Sequence, residues 1–445
     1  MLNLGAKLLA GLVGSFHPRT LHPMMRASYA RELQAWWLLA IMLTMVEGGV
    51  LSVVVKNVFD GVVGIGTAEL NIIVAILSAA PAVANISSFV WVRIAHGKPK
   101  VRLLVTCQAA MAILVILIAI APENRFGLYM IGCCGFGARI FWASVVTIRT
   151  TIWRANYPKA SRASVAGRLA MVQSVMVSLV GFGIGIAMNW NPRIFHLLFP
   201  LGGLAGLVGM AIYSRVRLRG QRRLARMELH GEAHSRPSFN PASLWRVLVH
   251  DPDFRAYQIC MFIFGLGNLM VFAVLPIVVK DRFNFEYLAG ILITSTIPAV
   301  IMPLSIPFWA RIFDRSHIIQ FRARHSWVFV ASTALVLVAT SFNIPWLLFV
   351  SAATTGLAYG GTVLAWNLGH HDYAEDHSDA RYMSVHVTLT GIRGLLGPLI
   401  SVAVYQWLDG PTIPGRGSLV FVLCLALSVT GALGFVRIAK QQMLD

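Results

Sequence analysis

The sequence predicts an all-α membrane protein whose twelve transmembrane helices form two six-helix bundles, with both termini on the cytoplasmic side. Composition is the first observation behind this. The 445 residues are 57% hydrophobic and only 12% charged, whereas a soluble domain carries about 25% charged residues. Periodicity is the second. Apolar runs of roughly twenty residues recur from Trp36 to Ala439, and a helix needs about 20 such residues to cross a hydrocarbon core about 30 Å thick. Only helices and closed barrels satisfy their backbone in lipid, and barrel strands would leave short alternating segments rather than these continuous runs.

The third observation is where the charge falls. Lys and Arg number 37 against 18 Asp and Glu, a formal charge of +19. Of the 37, 28 lie in the terminal segments and in the loops after spans two, four, six, eight and ten. Six lie in the opposite loops, and Arg139, Arg149 and Arg393 lie inside spans. The positive-inside rule then places both termini in the cytoplasm, as expected of a multi-pass protein of the inner membrane. The basic balance is a topology signal read by anionic lipid at the cytoplasmic face, and nucleic acid is not expected as a partner.

Taken in order, residues 1–35 form a cytoplasmic segment, mildly amphipathic over its first fifteen residues and lacking an Ala-x-Ala cleavage site. Residues 36–214 form the first bundle, with spans near 36–56, 66–91, 101–121, 126–152, 169–189 and 194–214. Span one holds Glu47, the one acid placed deep in a span, beside Gly48 and Gly49, which permit close backbone approach or a local break. Span two carries Asn71, Pro81 and Asn85. Span four carries Arg139 near its middle and Arg149 nearer the cytoplasmic rim, where pairing or snorkelling is expected. Span five adds Gln173 and the glycines Gly181, Gly183 and Gly185. Such breakers kink helices or let them cross closely.

Residues 215–255 form a basic linker in which Arg217, Arg219, Arg222, Arg223 and Arg226 suit an anionic lipid surface. The second bundle, 256–440, has spans near 256–279, 287–310, 325–342, 345–369, 383–407 and 418–436. Span seven offers Tyr257, Gln258 and Asn268, and span eight Pro298, Pro303 and Pro307. Span ten offers Thr354, Thr355, Tyr359, Thr362, Trp366 and Asn367, and span eleven Arg393 among Gly391, Gly394 and Gly397. Between spans ten and eleven runs a loop with His370, His371, Asp372, Glu375, Asp376, His377 and Asp379. Imidazole and carboxylate bind zinc or iron, yet this spacing fits no closed tetrahedral site, and an acidic loop pairing with arginines is the expectation. All five cysteines fall in apolar spans without metal or disulfide spacing.

The halves resemble each other. Trp91-Val-Arg93-Ile94 ends span two and Trp309-Ala-Arg311-Ile312 ends span eight. Asn156-Tyr157 follows span four with Arg162 behind it, and Asp372-Tyr373 follows span ten with Arg381 behind it. Two six-helix repeats around a central site are what alternating access by rocking requires. The loop from Arg93 through His96, Gly97 and Lys98 to Lys100 looks like a degenerate Gly-x-x-x-Asp-Arg-x-Gly-Arg-Lys signature, and Arg311-Ile-Phe-Asp314-Arg315 keeps its Asp-Arg pair. On these residues, and on Gly391-Ile-Arg393-Gly394 with Gly397-Pro398, the chain resembles the major facilitator superfamily of secondary transporters.

The resemblance implies a central cavity lined by spans one, four, seven and ten, and a conformational gate on the cytoplasmic face at Arg93, Gly97, Asp314 and Arg315. A charge within a span is costly and usually faces a cavity or a partner. Glu47 is therefore expected to couple transport to protons, and Arg139 and Arg393 to meet a negative group on the solute, with Asn268, Tyr359, Trp366 and Asn367 completing the binding site. A static Glu47–Arg139 ion pair is the competing reading.

The expected function is secondary active transport of a small organic solute. Proton-driven export of lipophilic cations, metal-ion transport and a non-transporting sensor are the alternatives. No phosphate-binding Gly-x-x-x-x-Gly-Lys-Ser/Thr loop and no nucleophile–base set occurs. ATP-driven transport and enzyme activity are thus not expected, nor is a cofactor or a resident metal, and the protein is expected to be a monomer.

Overall fold

The computed structural model describes residues 16–230, 241–369, 372–373, 379–409 and 416–442. These residues form helices and no strands. Twelve helices are long and apolar enough to cross a membrane. They are α1 (Pro23–Phe59), α2 (Thr67–Ala95), α3 (Lys100–Ile118), α4 (Arg125–Asn156), α5 (Ser164–Trp190) and α6 (Pro192–Tyr213) in the first half. The second half holds α7 (Pro252–Phe283), α8 (Tyr287–Phe313), α9 (Ile318–Phe342), α10 (Trp346–Trp366), α11 (Tyr382–Leu408) and α12 (Gly417–Gln441). Short helices at Gln221–His230 and Pro241–His250 occupy the linker, and its five singled-out arginines are all exposed.

Packing repeats with a period of six helices. In the first half α1 packs on α6 and α5, α2 on α4, and α3 on α4 and α6. In the second half α7 packs on α12 and α11, α8 on α10, and α9 on α10 and α12. Across the interface α2 lies against α11, and α5 against α8. Small residues permit these close crossings. A Cβ on Gly185 of α5 would come to 2.9 Å of the Leu288 Cα, and one on Gly394 of α11 to 3.1 Å of the Ala82 Cβ.

Two spans are broken where the sequence carries breakers. α1 stops at Met45 and restarts at Gly48, with Glu47 extended at φ −66°, ψ 133° between the two pieces. α8 contains a wide π turn over Leu292–Thr296, just before Pro298. Proline cannot donate its backbone N–H and crowds the preceding turn, and π turns inserted in helices recur at functional sites. The breaks meet. Thr294 Oγ1 donates to the Gly49 carbonyl at 2.7 Å and to the Gly290 carbonyl at 2.8 Å.

The polar contacts between the halves, among the described residues, lie at mid-span or on the face away from the basic loops. Lys56 pairs with Asp281 at 2.8 Å, Gln406 donates to the Ala68 carbonyl at 3.1 Å, and Leu288 N–H donates to Asn189 at 2.9 Å. Ser174 donates to the Ala299 carbonyl at 2.5 Å. The structure is thus closed on the face opposite the basic loops.

Helix starts differ from expectation in two places that matter later. α1 begins at Pro23 and α9 at Ile318, so Glu32 and Arg322 are span residues and not loop residues. Hydropathy moves a boundary inward past charged residues, because it cannot distinguish a charge facing water from one facing a neighbouring helix.

Candidate functional site

The break in α1 positions the first polar group. Because the chain is extended at Glu47, its carboxylate leaves the α1 surface and accepts from the Arg139 guanidinium of α4 at 3.2 Å. The Glu47 side chain remains 26% exposed, and that of Arg139 10%. The two residues singled out in the first half therefore form an ion pair.

A cavity of about 210 Å³ opens beside this pair, lined mainly by α7, α9 and α10 and reaching Gly49 of α1, Thr294 and Pro298 of α8, and Thr390 and Arg393 of α11. Four of the residues expected to form the binding site line it, Asn268, Tyr359, Trp366 and Arg393, together with Thr355 and Thr362 of α10. Arg139 and Glu47 are not among its lining residues. Asn367 belongs to the helix that continues α10 to Leu368, and its side chain lies outside the described residues.

Arg393 is 5% exposed. Its Nη2 donates to Thr390 Oγ1 at 2.8 Å, its Nη1 donates to the Met261 carbonyl, and its Nε has no partner. The guanidinium lies flat on α7 because Gly265 has no side chain there; a Cβ would come to 2.5 Å of Nη1.

The cavity's second charge was not anticipated. Arg322 of α9 is 1% exposed, lines the same cavity and leaves its Nε without a partner. No ion pair among the described residues includes either arginine. Burying an unpaired ion costs several kcal/mol even after relaxation. The only signal in the sequence was Arg322 itself, three residues before His325, where apolar character resumes.

Three further expectations are corrected. Glu47 is not the only acid deep in a span. Glu32 of α1 is 0% exposed and accepts from Trp153 Nε1 at 2.6 Å and Tyr157 Oη at 2.9 Å. Arg149 does not snorkel, since its guanidinium stacks between Trp36 at 3.9 Å and Trp153 at 4.3 Å. Lys56 is no loop residue: it is 0% exposed and donates to Asn71 at 3.0 Å beside its pair with Asp281.

At the basic face, Gly97 takes φ +70°, which Gly adopts at little cost. Its N–H donates to Glu228 of the linker helix at 2.6 Å, and Lys100 pairs with the same carboxylate at 2.7 Å. Arg93, Asp314 and Arg315 are exposed. The first-half loop is thus tied to the linker and not to the second half. In the acidic loop, Asp372 accepts from the Ile318 N–H at 2.7 Å, while His370, His371, Glu375, Asp376 and His377 lie outside the described residues.

The architecture matches solved transporters. A nucleoside transporter, NupG (D323A mutant), superposes with a TM-score of 0.72 at 11% identity, covering 92% of this chain and 99% of that one. A D-xylose–proton symporter gives 0.70 at 13% identity, covering 92% and 96%. A POT family transporter in complex with 5-aminolevulinic acid gives 0.68 at 15% identity, covering 93% and 96%. At such identities the likeness speaks for the fold alone. No curated protein matches the sequence. The Major Facilitator Superfamily family model matches residues 37–398, and the chain belongs to the major facilitator superfamily.

Proposed function

We propose that this protein is a secondary active transporter that moves a small organic solute bearing a negative group across the inner membrane by alternating access, with Glu47 coupling movement to protons. One observation carries the reading: the charged residues lining the cavity, Arg322 and Arg393, are both cationic and in no ion pair among the described residues. A volume of about 210 Å³ lies below the ~300–1,000 Å³ of drug-sized sites, which suits a small solute. Asn268 and Tyr359 add directional polar contacts, and Trp366 an aromatic wall.

Coupling follows from the Glu47–Arg139 pair. Protonating Glu47 removes the attraction that holds α4 to the break in α1, and that break touches α8 of the other half through Thr294. The proton and the interface between the halves thereby act on one element. Arg139 serves here as the ion-pair partner of Glu47. The basic-loop face is taken as cytoplasmic, so the arrangement described is inward-facing, and Arg93, Gly97, Asp314 and Arg315 would meet on the opposite swing.

The test uses proteoliposomes with an imposed pH gradient and benzoate as a labelled anion. Wild-type protein is expected to accumulate it, and Glu47→Gln to keep anion exchange while losing gradient-driven accumulation. An unchanged pH dependence in Glu47→Gln removes it from the coupling role. Binding without any flux would favour a sensor, and stabilisation by lipophilic cations would favour the exporter.

A further inference from the structure

We infer that Arg322 and Arg393 form one paired-guanidinium subsite within the cavity, and that it takes the oxyanion of a small organic solute with a ring-sized apolar body. The inference rests on the organic-anion reading above and specifies its recognition chemistry.

The two side chains come from different helices, α9 and α11, and line the same cavity. Both are more than nine-tenths buried, and neither has a carboxylate partner among the described residues. Two cations held together away from water, with no carboxylate between them, are unfavourable until an anion arrives. Arg322 is in no ion pair among the described residues, and its Nε–H is left without a partner. Arg393 is held differently. Its anchors at Thr390 and Met261 fix the plane of the guanidinium, and its Nε–H is left over. A carboxylate or phosphate offers two or three acceptor oxygens in the geometry such forks match, and charge-assisted bonds of this kind are the strong ones.

The rest of the cavity sets the remainder of the molecule. Phe264, Phe272 and Phe329 line it with Tyr359 and Trp366, so an aromatic or compact alkyl body is favoured over a polyhydroxylated one. Arg139 is paired with Glu47 and is not among the residues lining the cavity.

The experiment measures binding of phenyl phosphate, benzoate and benzyltrimethylammonium to purified full-length protein in detergent. Wild type is compared with Arg322→Gln, Arg393→Gln and Arg322→Lys, each checked for folding by gel filtration and thermal unfolding. Wild type is expected to bind both anions and not the cation, and each Gln variant to bind them about ten- to a hundredfold more weakly, the loss of one charge-assisted hydrogen bond. Arg322→Lys keeps the charge but loses the planar fork, and binding about severalfold weaker than wild type is expected. That variant also carries the test should a Gln variant not fold. Anion binding by wild type that survives unchanged in the folded Arg322 variants overturns the paired subsite alone. Binding of benzyltrimethylammonium with no anion binding overturns the organic-anion reading and the subsite with it.

Discussion

At the scale of single residues, two buried charges of the first bundle, Glu32 and Arg149, are held by aromatic side chains. Glu32 is satisfied by an indole N–H and a phenol, and Arg149 sits between two indole faces. Both interactions are strong away from water: hydrogen bonds to charged groups are worth about 1.5–3 kcal/mol, and a desolvated cation–π contact about 2 kcal/mol. Trp153 contributes to each. Trp153→Phe removes the N–H and leaves a weaker ring, and a loss of about 2 kcal/mol is expected, read as a lower unfolding temperature in detergent. Trp36→Phe keeps the Glu32 bond, so a smaller loss is expected; equal losses would show that Glu32 is not what Trp153 holds. Nothing in the sequence pairs Glu32 with Trp153, because the contact joins α1 to α4.

At the scale of helices, the two broken spans are joined at one point, and glycine is what allows it. A Cβ on Gly49 would come to 2.6 Å of the Thr294 carbonyl oxygen, a backbone atom that cannot turn aside. Gly49→Val is therefore expected to force α1 and α8 apart and to open the face that is closed in this structure. Cysteines placed at Asn189 and Leu288, where the Asn189 side chain now accepts from the Leu288 backbone N–H, report it in a background lacking the native cysteines. Their oxidative cross-linking yield should fall on Gly49→Val, and an unchanged yield would mean that α1 yields instead. Gly48 and Gly49 marked this position in the sequence. The π turn of α8 had no such mark beyond Pro298, because a π turn arises from how Leu292–Thr296 pack against α1, α5 and α10.

At the scale of the whole molecule, the ion pair between the halves, among the described residues, lies on one face. Lys56 is buried, and Asp281 is 24% exposed at its side chain and also accepts from Tyr405 Oη at 2.8 Å. Removing one partner of a fully buried pair costs about 3–5 kcal/mol. With Asp281 partly in water the loss is nearer 2 kcal/mol, still more than a tenfold change in a two-state population. Lys56→Met should therefore shift the protein toward the state open on that face. Spin labels at Thr67 and Glu286 would show the longer distance gaining population, and Asp281→Asn should do the same with smaller amplitude because Lys56 keeps Asn71. A distance distribution identical to wild type would sink the latch.

The sequence by itself determined the number of spans, their division six and six, and the positions of Glu47, Arg139 and Arg393 within them. These are local quantities: lipid demands a long apolar run, and a charge inside such a run is conspicuous. Only the tertiary structure decided which charges meet. It engaged Arg139 with Glu47, put Arg393 and Arg322 on the wall of one cavity, and drew Glu32, Lys56 and Arg322 out of apparent loops into the interior. Those three lie near span ends, where hydropathy reads a charged residue as facing water. Whether it faces water or a neighbouring helix is settled by the direction of one side chain, which depends on helices far away in the chain.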